Sequence, residues 1–305
     1  MFTPSLLPHL RGIRPSSVLP SVQEPKGDHG PQMSFTGYMF ESADEIAPFL
    51  EDAHQGPTAR WAKQQANRLQ AALLIGFPER SPGGKAYNSA MLVYPDPPKH
   101  ATNPLETVEK RMSYIYRKHF LYVVDKTWAS PGPPFEVHHA GLFKIGVGIC
   151  MDLNFDDPSD DLATQATTNK EKGSSGEQEL RMMSMAMAPP PFATYHYSQK
   201  TRFLLCPMNW IDLPRGLPKK ESHSLKNLSY WFSRLDPLVS GPSQGPVTFV
   251  ACNRIGTERG TTFCGTSCIL DLVPGKEPVV RALMRKDEEG VAIGLIHGNA
   301  SDLLP

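Results

Sequence analysis

Neither sign of charge prevails in this sequence: 31 basic residues stand against 31 acidic ones. That balance removes the electrostatic footprint that nucleic acid or an acidic surface would need. No apolar run approaches the ~18 residues of a spanning helix, so no membrane partner is expected. Cysteine is scarce, and its five copies (Cys150, Cys206, Cys252, Cys264, Cys268) are odd in number and irregularly spaced. Such usage suits a reducing compartment, and a cytoplasmic protein, better than a disulfide framework. Cys264 and Cys268 have no second pair or His cluster beside them, so no metal site is expected, and nothing in the chain calls for a cofactor. At 305 residues the chain is ample for a sizeable core.

Residues 1–30 lack any sustained period and carry Pro4, Pro8, Pro15, Pro20 and Pro25, which break a helix and make this an irregular proline-rich leader. Its early part has Arg and Ser but no acid before Glu24, a weak hint of a transit peptide that the prolines oppose. From residue 31 the chain becomes organised, and 31–300 is read as one domain. Ser42 and the acids after it start a helix over 43–50. Residues 58–72 (TARWAKQQANRLQAA) have the spacing of an amphipathic helix. Strands are predicted at 73–77 and 89–94, joined by a hairpin-like SPGGK turn, and a β-rich run at 112–122. Further strands are expected at 202–210, 247–251, 267–272 and 291–297, with a helix at 222–235 and a long loop or insertion at 156–191. Helices alternating with paired strands make an α/β chain.

The stretch that organises the rest is 143–155, FKIGVGICMDLNF. Phe143, Ile145, Val147 and Ile149, thinned by Gly146 and Gly148, read as a buried strand that ends on Cys150. A thiol at a strand's C-terminal tip can project into a crevice, with the N–H groups of the next turn offered to a developing negative charge. A lone Cys in an apolar strand is more often a small buried hydrophobe, and Lys118, in an aromatic run, would ordinarily be a solvated outward-facing side chain.

Four blocks change that balance. Tyr116-Arg117-Lys118 with Leu121 and Trp128, Gly148-Ile149-Cys150-Met151-Asp152-Leu153, Cys206-Pro207-Met208-Asn209-Trp210, and Asn253-Arg254-Ile255-Gly256-Thr257-Glu258 followed by Phe263 and Gly265-Thr266-Ser267 together resemble the nitrilase, or carbon–nitrogen hydrolase, superfamily. They are most similar to its eukaryotic branch that deamidates an N-terminal Asn or Gln and feeds degradation that reads N-terminal residues. The resemblance implies a four-layer α-β-β-α nitrilase-like sandwich, with the family's N-terminal strand and helix missing or divergent here, and a protein or peptide N-terminus as substrate.

Amide hydrolysis through a thioester needs a thiolate, a carboxylate base and a donor for the oxyanion. The resemblance casts Cys150 as nucleophile, with Lys118 and the Met151 N–H as oxyanion donors. Where the family carries its catalytic Glu, before Thr-Gly-Tyr, this chain reads Pro31-Gln32, with Thr36-Gly37-Tyr38 following. An amide cannot take or pass the proton, and losing acid–base catalysis costs about 10²–10⁴-fold; Gln32 therefore predicts an impaired enzyme. Glu79, in Phe77-Pro78-Glu79, is read as a strand-end residue rather than a substitute base. Asp152 and Trp210 are candidates for binding the substrate's α-ammonium and its apolar part; Asp152, like Asp125 and Glu258, could equally be a structural carboxylate. The alternatives are a catalytically silent binding protein, or an amidase for another small amide or nitrile, against which Pro207-Met208-Asn209-Trp210 argues.

Overall fold

The computed structural model describes residues 33–96, 113–140, 143–154, 189–212, 223–241 and 245–294. The leader, Gln32 and most of the 156–191 insertion lie outside them. Ser42 caps α1 (Ala43–Ile46), its Oγ accepting from the Glu45 N–H at 3.2 Å, and Pro48 then tightens the chain into a 3₁₀ turn, Ala47–Phe49. The amphipathic segment becomes α2 (Pro57–Leu69), opened by a proline at its first position and closed by Gln70 at φ +50°.

Strands β1 (Leu73–Arg80), β2 (Ala86–Val93) and β3 (Tyr114–Arg117) form an antiparallel three-stranded sheet. The predicted 112–122 run is thus a strand only over four residues; the Lys118 N–H still bonds the Asn88 carbonyl at 2.8 Å, and the chain then turns away. Alternation along these strands sets two faces. Leu73, Ile75, Phe77 and Met91 pack under Ala59, Ala62 and Ala66 of α2. Leu74, Ala90, Leu92 and Tyr116 face the other way, into the main core. Lys118 shares the parity of Tyr116 and so enters the protein instead of pointing to water.

The second sheet has six strands in the order β11-β10-β7-β6-β5-β4: β4 (Val137–Ala140), β5 (Phe143–Val147), β6 (Phe203–Met208), β7 (Val247–Asn253), β10 (Cys268–Leu272) and β11 (Val279–Leu283). β5, β6 and β7 run parallel, with antiparallel strands outside them. A small ribbon, β8 (Thr257–Glu258) with β9 (Thr261–Thr262), follows β7. Helices α3 (Pro191–Ser198), α4 (Leu225–Arg234) and α5 (Pro237–Ser240) put Phe192, Trp231 and Leu238 into the main core. Helix, sheet, sheet, helix is the expected four-layer sandwich. β4 and β11 had no distinct sequence signal, and the strand expected at 291–297 is absent over Val291–Gly294, where Val291 and Ile293 are exposed. All five cysteines are buried and unbridged. Among the described residues no helix is long and apolar enough to cross a membrane.

Gly146 of β5 and Gly148 just past it are there for proximity. A Cβ at Gly146 would meet the buried His196 ring of α3 at 2.4 Å, so only glycine lets this helix lie on the strand that leads to Cys150. Gly146→Ala is expected to lower stability by about 1–3 kcal/mol, read as a lower denaturant midpoint with an unchanged slope; an unaltered midpoint would contradict the close packing.

Candidate active site

β5 delivers its last residues to the gap between the sheets. Just past it, Cys150 begins a one-turn 3₁₀ helix, Cys150–Leu153, with φ +48°, a left-handed conformation that non-glycine residues adopt at a cost and that clusters at functional sites. The residue is 8% exposed, so the sulfur is buried and not in open solvent. The Met151 N–H belongs to the first turn, where N–H groups have no intrahelical acceptor. From just past the end of the neighbouring parallel strand β6, the Asn209 N–H donates to the sulfur.

Lys118 faces this thiol from the other sheet. Its ammonium is fully buried and bonds Asp125 Oδ2 at 2.5 Å, and Asp125 is fully buried too. Asp125 also accepts from Asn88 Nδ2 at 2.8 Å and from the Tyr122 N–H at 2.9 Å. Burial alone would push the Lys118 ammonium down, but Asp125, and then Cys150, outweigh it and hold the group above its ordinary value. The ion pair with Asp125 is what keeps the ammonium charged in this buried position. Burial pushes the Cys150 thiol up to about 11, with Lys118 and the Asn209 N–H pulling the other way. At neutral pH the resting thiol is therefore protonated. Lys118 softens the desolvation without overcoming it, and a base is still required.

Of the two roles open to Asp152, the hydrogen bonds around it favour the structural carboxylate. It is fully buried, and its Oδ1 accepts from the His119 N–H at 3.1 Å and the Phe120 N–H at 2.8 Å. Its Oδ2 accepts from the Ile149 N–H and the Tyr116 hydroxyl, both at 2.8 Å. Four donors saturate the carboxylate, so it ties the strand carrying Cys150 to the turn after Lys118. Glu79, the penultimate residue of β1, is buried on the opposite face and held by Arg117 at 2.5 Å and Ser89 at 2.7 Å; it is not a base for Cys150. A crevice of about 360 Å³ beside it, lined by His54, Pro133 and Glu136 among others, shares no residue with the thiol site.

Trp210 lies one residue beyond Asn209 and is half-buried. Its ring packs at 5.7 Å from Tyr230 and 5.8 Å from Trp231, and the Tyr230 hydroxyl donates to Asn154 Oδ1 at 2.7 Å, so α4 and the turn after Cys150 share one aromatic wall. The Asn253 block holds it in place: the Trp210 N–H donates to Asn253 Oδ1 at 2.7 Å, and Asn253 Nδ2 donates to the Gly265 carbonyl at 2.8 Å. Glu258 performs a second fixing task. Its carboxylate accepts the Tyr38 N–H at 3.0 and 3.1 Å and the Met39 N–H at 3.0 Å, and it pairs with buried Arg254 at 3.2 Å. Gly37 makes room, since a Cβ there would lie 2.8 Å from Glu258 Oε1. Sequence reasoning missed Asp125 as the partner of Lys118. The available signal was an acid in the turn between Lys118 and Trp128, with no periodicity to single it out.

A thiol poised this way sets a pH dependence. Alkylation of Cys150 by iodoacetamide, followed by peptide mapping, should rise roughly tenfold per pH unit between about pH 7 and 10. Lys118→Gln should slow it at every pH by raising the thiol further. A rate that is flat with pH would contradict the buried, protonated resting state.

The profile of the carbon–nitrogen hydrolase family matches residues 30–169. A protein N-terminal amidase of Schizosaccharomyces pombe is 30% identical over 273 residues, 87% of this chain and 84% of that protein. The crystal structure of an N-terminal amidase with an Asn-Glu-Ala peptide superposes with a TM-score of 0.64 at 18% identity, covering 90% of each chain, and one with a Gln-Val peptide gives 0.62 over the same share at 18% identity. Two facing sheets, a cysteine at the tip of β5, a buried lysine opposite it and this degree of likeness place the chain in the carbon–nitrogen hydrolase family.

Proposed function

We propose that the protein is a cysteine amidohydrolase that converts the side-chain amide of an N-terminal Asn, and of Gln, into the acid on peptides or proteins. The observation that carries this reading is the strained, buried Cys150 set against the Lys118–Asp125 pair. Support for the substrate comes from the S. pombe relative, an N-terminal amidase, and from neighbours solved with Asn- and Gln-initiated peptides. In the reaction, sulfur adds to the carboxamide carbon while the Lys118 ammonium and the Met151 N–H receive the charge on its oxygen. The proton that leaves the thiol ends on the amide nitrogen, the C–N bond breaks, and the adduct expels ammonia and leaves a thioester. Water then cleaves the thioester, releasing the carboxylate and regenerating the thiol. Trp210 and Tyr230 form the apolar wall against which the substrate lies. The product bears an N-terminal Asp or Glu, the form on which degradation that reads N-terminal residues acts, in a cytoplasmic setting.

Gln32 stands where the family's base belongs, and a thiol held at about 11 needs that base more than most. The same observation favours a second reading, a protein that binds such N-termini without turning them over. Ammonia release from Asn-initiated peptides decides between them. Slow release is expected from the natural protein, none from Cys150→Ala, and an increase of roughly 10²–10⁴-fold from Gln32→Glu. Tight peptide binding with no release by either the natural protein or Gln32→Glu would establish the binding role instead.

A further inference from the structure

One buried hydroxyl is left over beside the Lys118–Asp125 pair. Tyr38 is fully buried, and its ring centroid lies 6.0 Å from Lys118 Nζ. Its phenol sits beside the Asp125 carboxylate and in the field of Cys150, yet among the described residues the hydroxyl makes no hydrogen bond of ordinary geometry. Buried hydroxyls without partners are costly and uncommon, and each calls for an explanation. This one is not left over through looseness. The Tyr38 N–H is gripped by both Glu258 oxygens and the next N–H by one of them, and buried Arg254 balances the charge.

The fixed hydroxyl points at a chemistry. Burial, then Asp125 and Cys150, hold it far above the ordinary phenol range, so it keeps its proton and has a hydrogen to donate. The acceptor beside it is Asp125, whose oxygens already accept from Lys118, Asn88 and the Tyr122 N–H. A donor in the field of the nucleophile that makes no well-formed bond in the free protein therefore matches an oxygen that arrives with the substrate and gains negative charge as sulfur adds. We propose that the Tyr38 hydroxyl donates a hydrogen bond to the oxygen of the substrate's reacting carboxamide, as a further catalytic residue beside Lys118 and the Met151 N–H. No proton is transferred: the hydroxyl stays intact while the C–S bond forms and the C–N bond breaks. The proposal rests on the amidohydrolase reading for its substrate.

Tyr38→Phe removes the oxygen and little else. With an Asn-Gly peptide, kcat/KM should fall about 10- to 100-fold, while the melting temperature stays level or rises, because the lost hydroxyl made no well-formed hydrogen bond in the free protein. Binding of the same peptide, measured by calorimetry in a Cys150→Ser background, should weaken about 3- to 10-fold when Tyr38→Phe is added. The second measurement does not depend on turnover. A parent protein that releases no ammonia but loses affinity with Tyr38→Phe would refute the hydrolase reading and uphold the Tyr38 contact. Equal affinity in the two proteins, including equal absence of binding, overturns the proposal. So does a Tyr38→Phe protein that melts several degrees lower with kcat/KM unchanged, which would make the hydroxyl a structural partner of Asp125.

Discussion

A fully buried ammonium bonded to a fully buried carboxylate is the constraint around which this structure is arranged. Lys118 and Asp125 lie seven residues apart, on either side of the turn that follows β3. Removing one partner from such a pair strands a charge in a poor solvent, at a cost of about 3–5 kcal/mol. Hydrophobic residues of similar size would serve stability as well, so the pair is weak evidence for a purely structural role. What it provides is a cation that stays charged although buried, aimed into the gap where the other sheet delivers Cys150. A lone lysine could not do this, because burial would discharge it.

Most of the other polar residues in the family's sequence blocks hold backbone in place around that pair. Asp152 joins the strand before Cys150 to the turn after Lys118 through four hydrogen bonds. Asn253 fixes the Trp210 backbone, and Glu258 fixes the turn at Tyr38. Each reaches between segments distant in sequence, and each satisfies backbone groups that would otherwise be buried without partners. Such anchoring holds reacting groups in position, where an error of an ångström is expensive in rate. The segment ending in Thr36-Gly37-Tyr38 is held in the same way even though Gln32, just before it, lacks the chemistry of a base.

The parts of this arrangement that could be read from sequence were those with a local signature. The apolar run ending at Cys150 announces a buried strand, and Ser42 with Glu45 announces a helix start. Lys118 enters the cleft through the two-residue alternation it shares with Tyr116, which the composition of the run concealed. Asp125 was not legible because its partner lies across a turn that no period describes. Asp152 was open to two roles, since sequence does not count the donors around a carboxylate. β4, with two histidines in four residues, lacks the apolar alternation of a strand, whereas residues 291–294 have apolar character but expose Val291 and Ile293. Gly146 could be seen to thin a strand, but its reason, the His196 ring of a helix far along the chain, is a tertiary fact.

The decisive event is a bond between the Cys150 sulfur and a substrate carboxamide carbon. Without an efficient base to activate water, the thioester should persist long enough to trap. Acid-quenched protein, after incubation with an Asn-initiated peptide, can be digested and mapped by mass spectrometry. The expected result is an adduct of the peptide's mass less ammonia, confined to the fragment holding Cys150 and removed by hydroxylamine. An unmodified Cys150, or an adduct on any other residue, would contradict it.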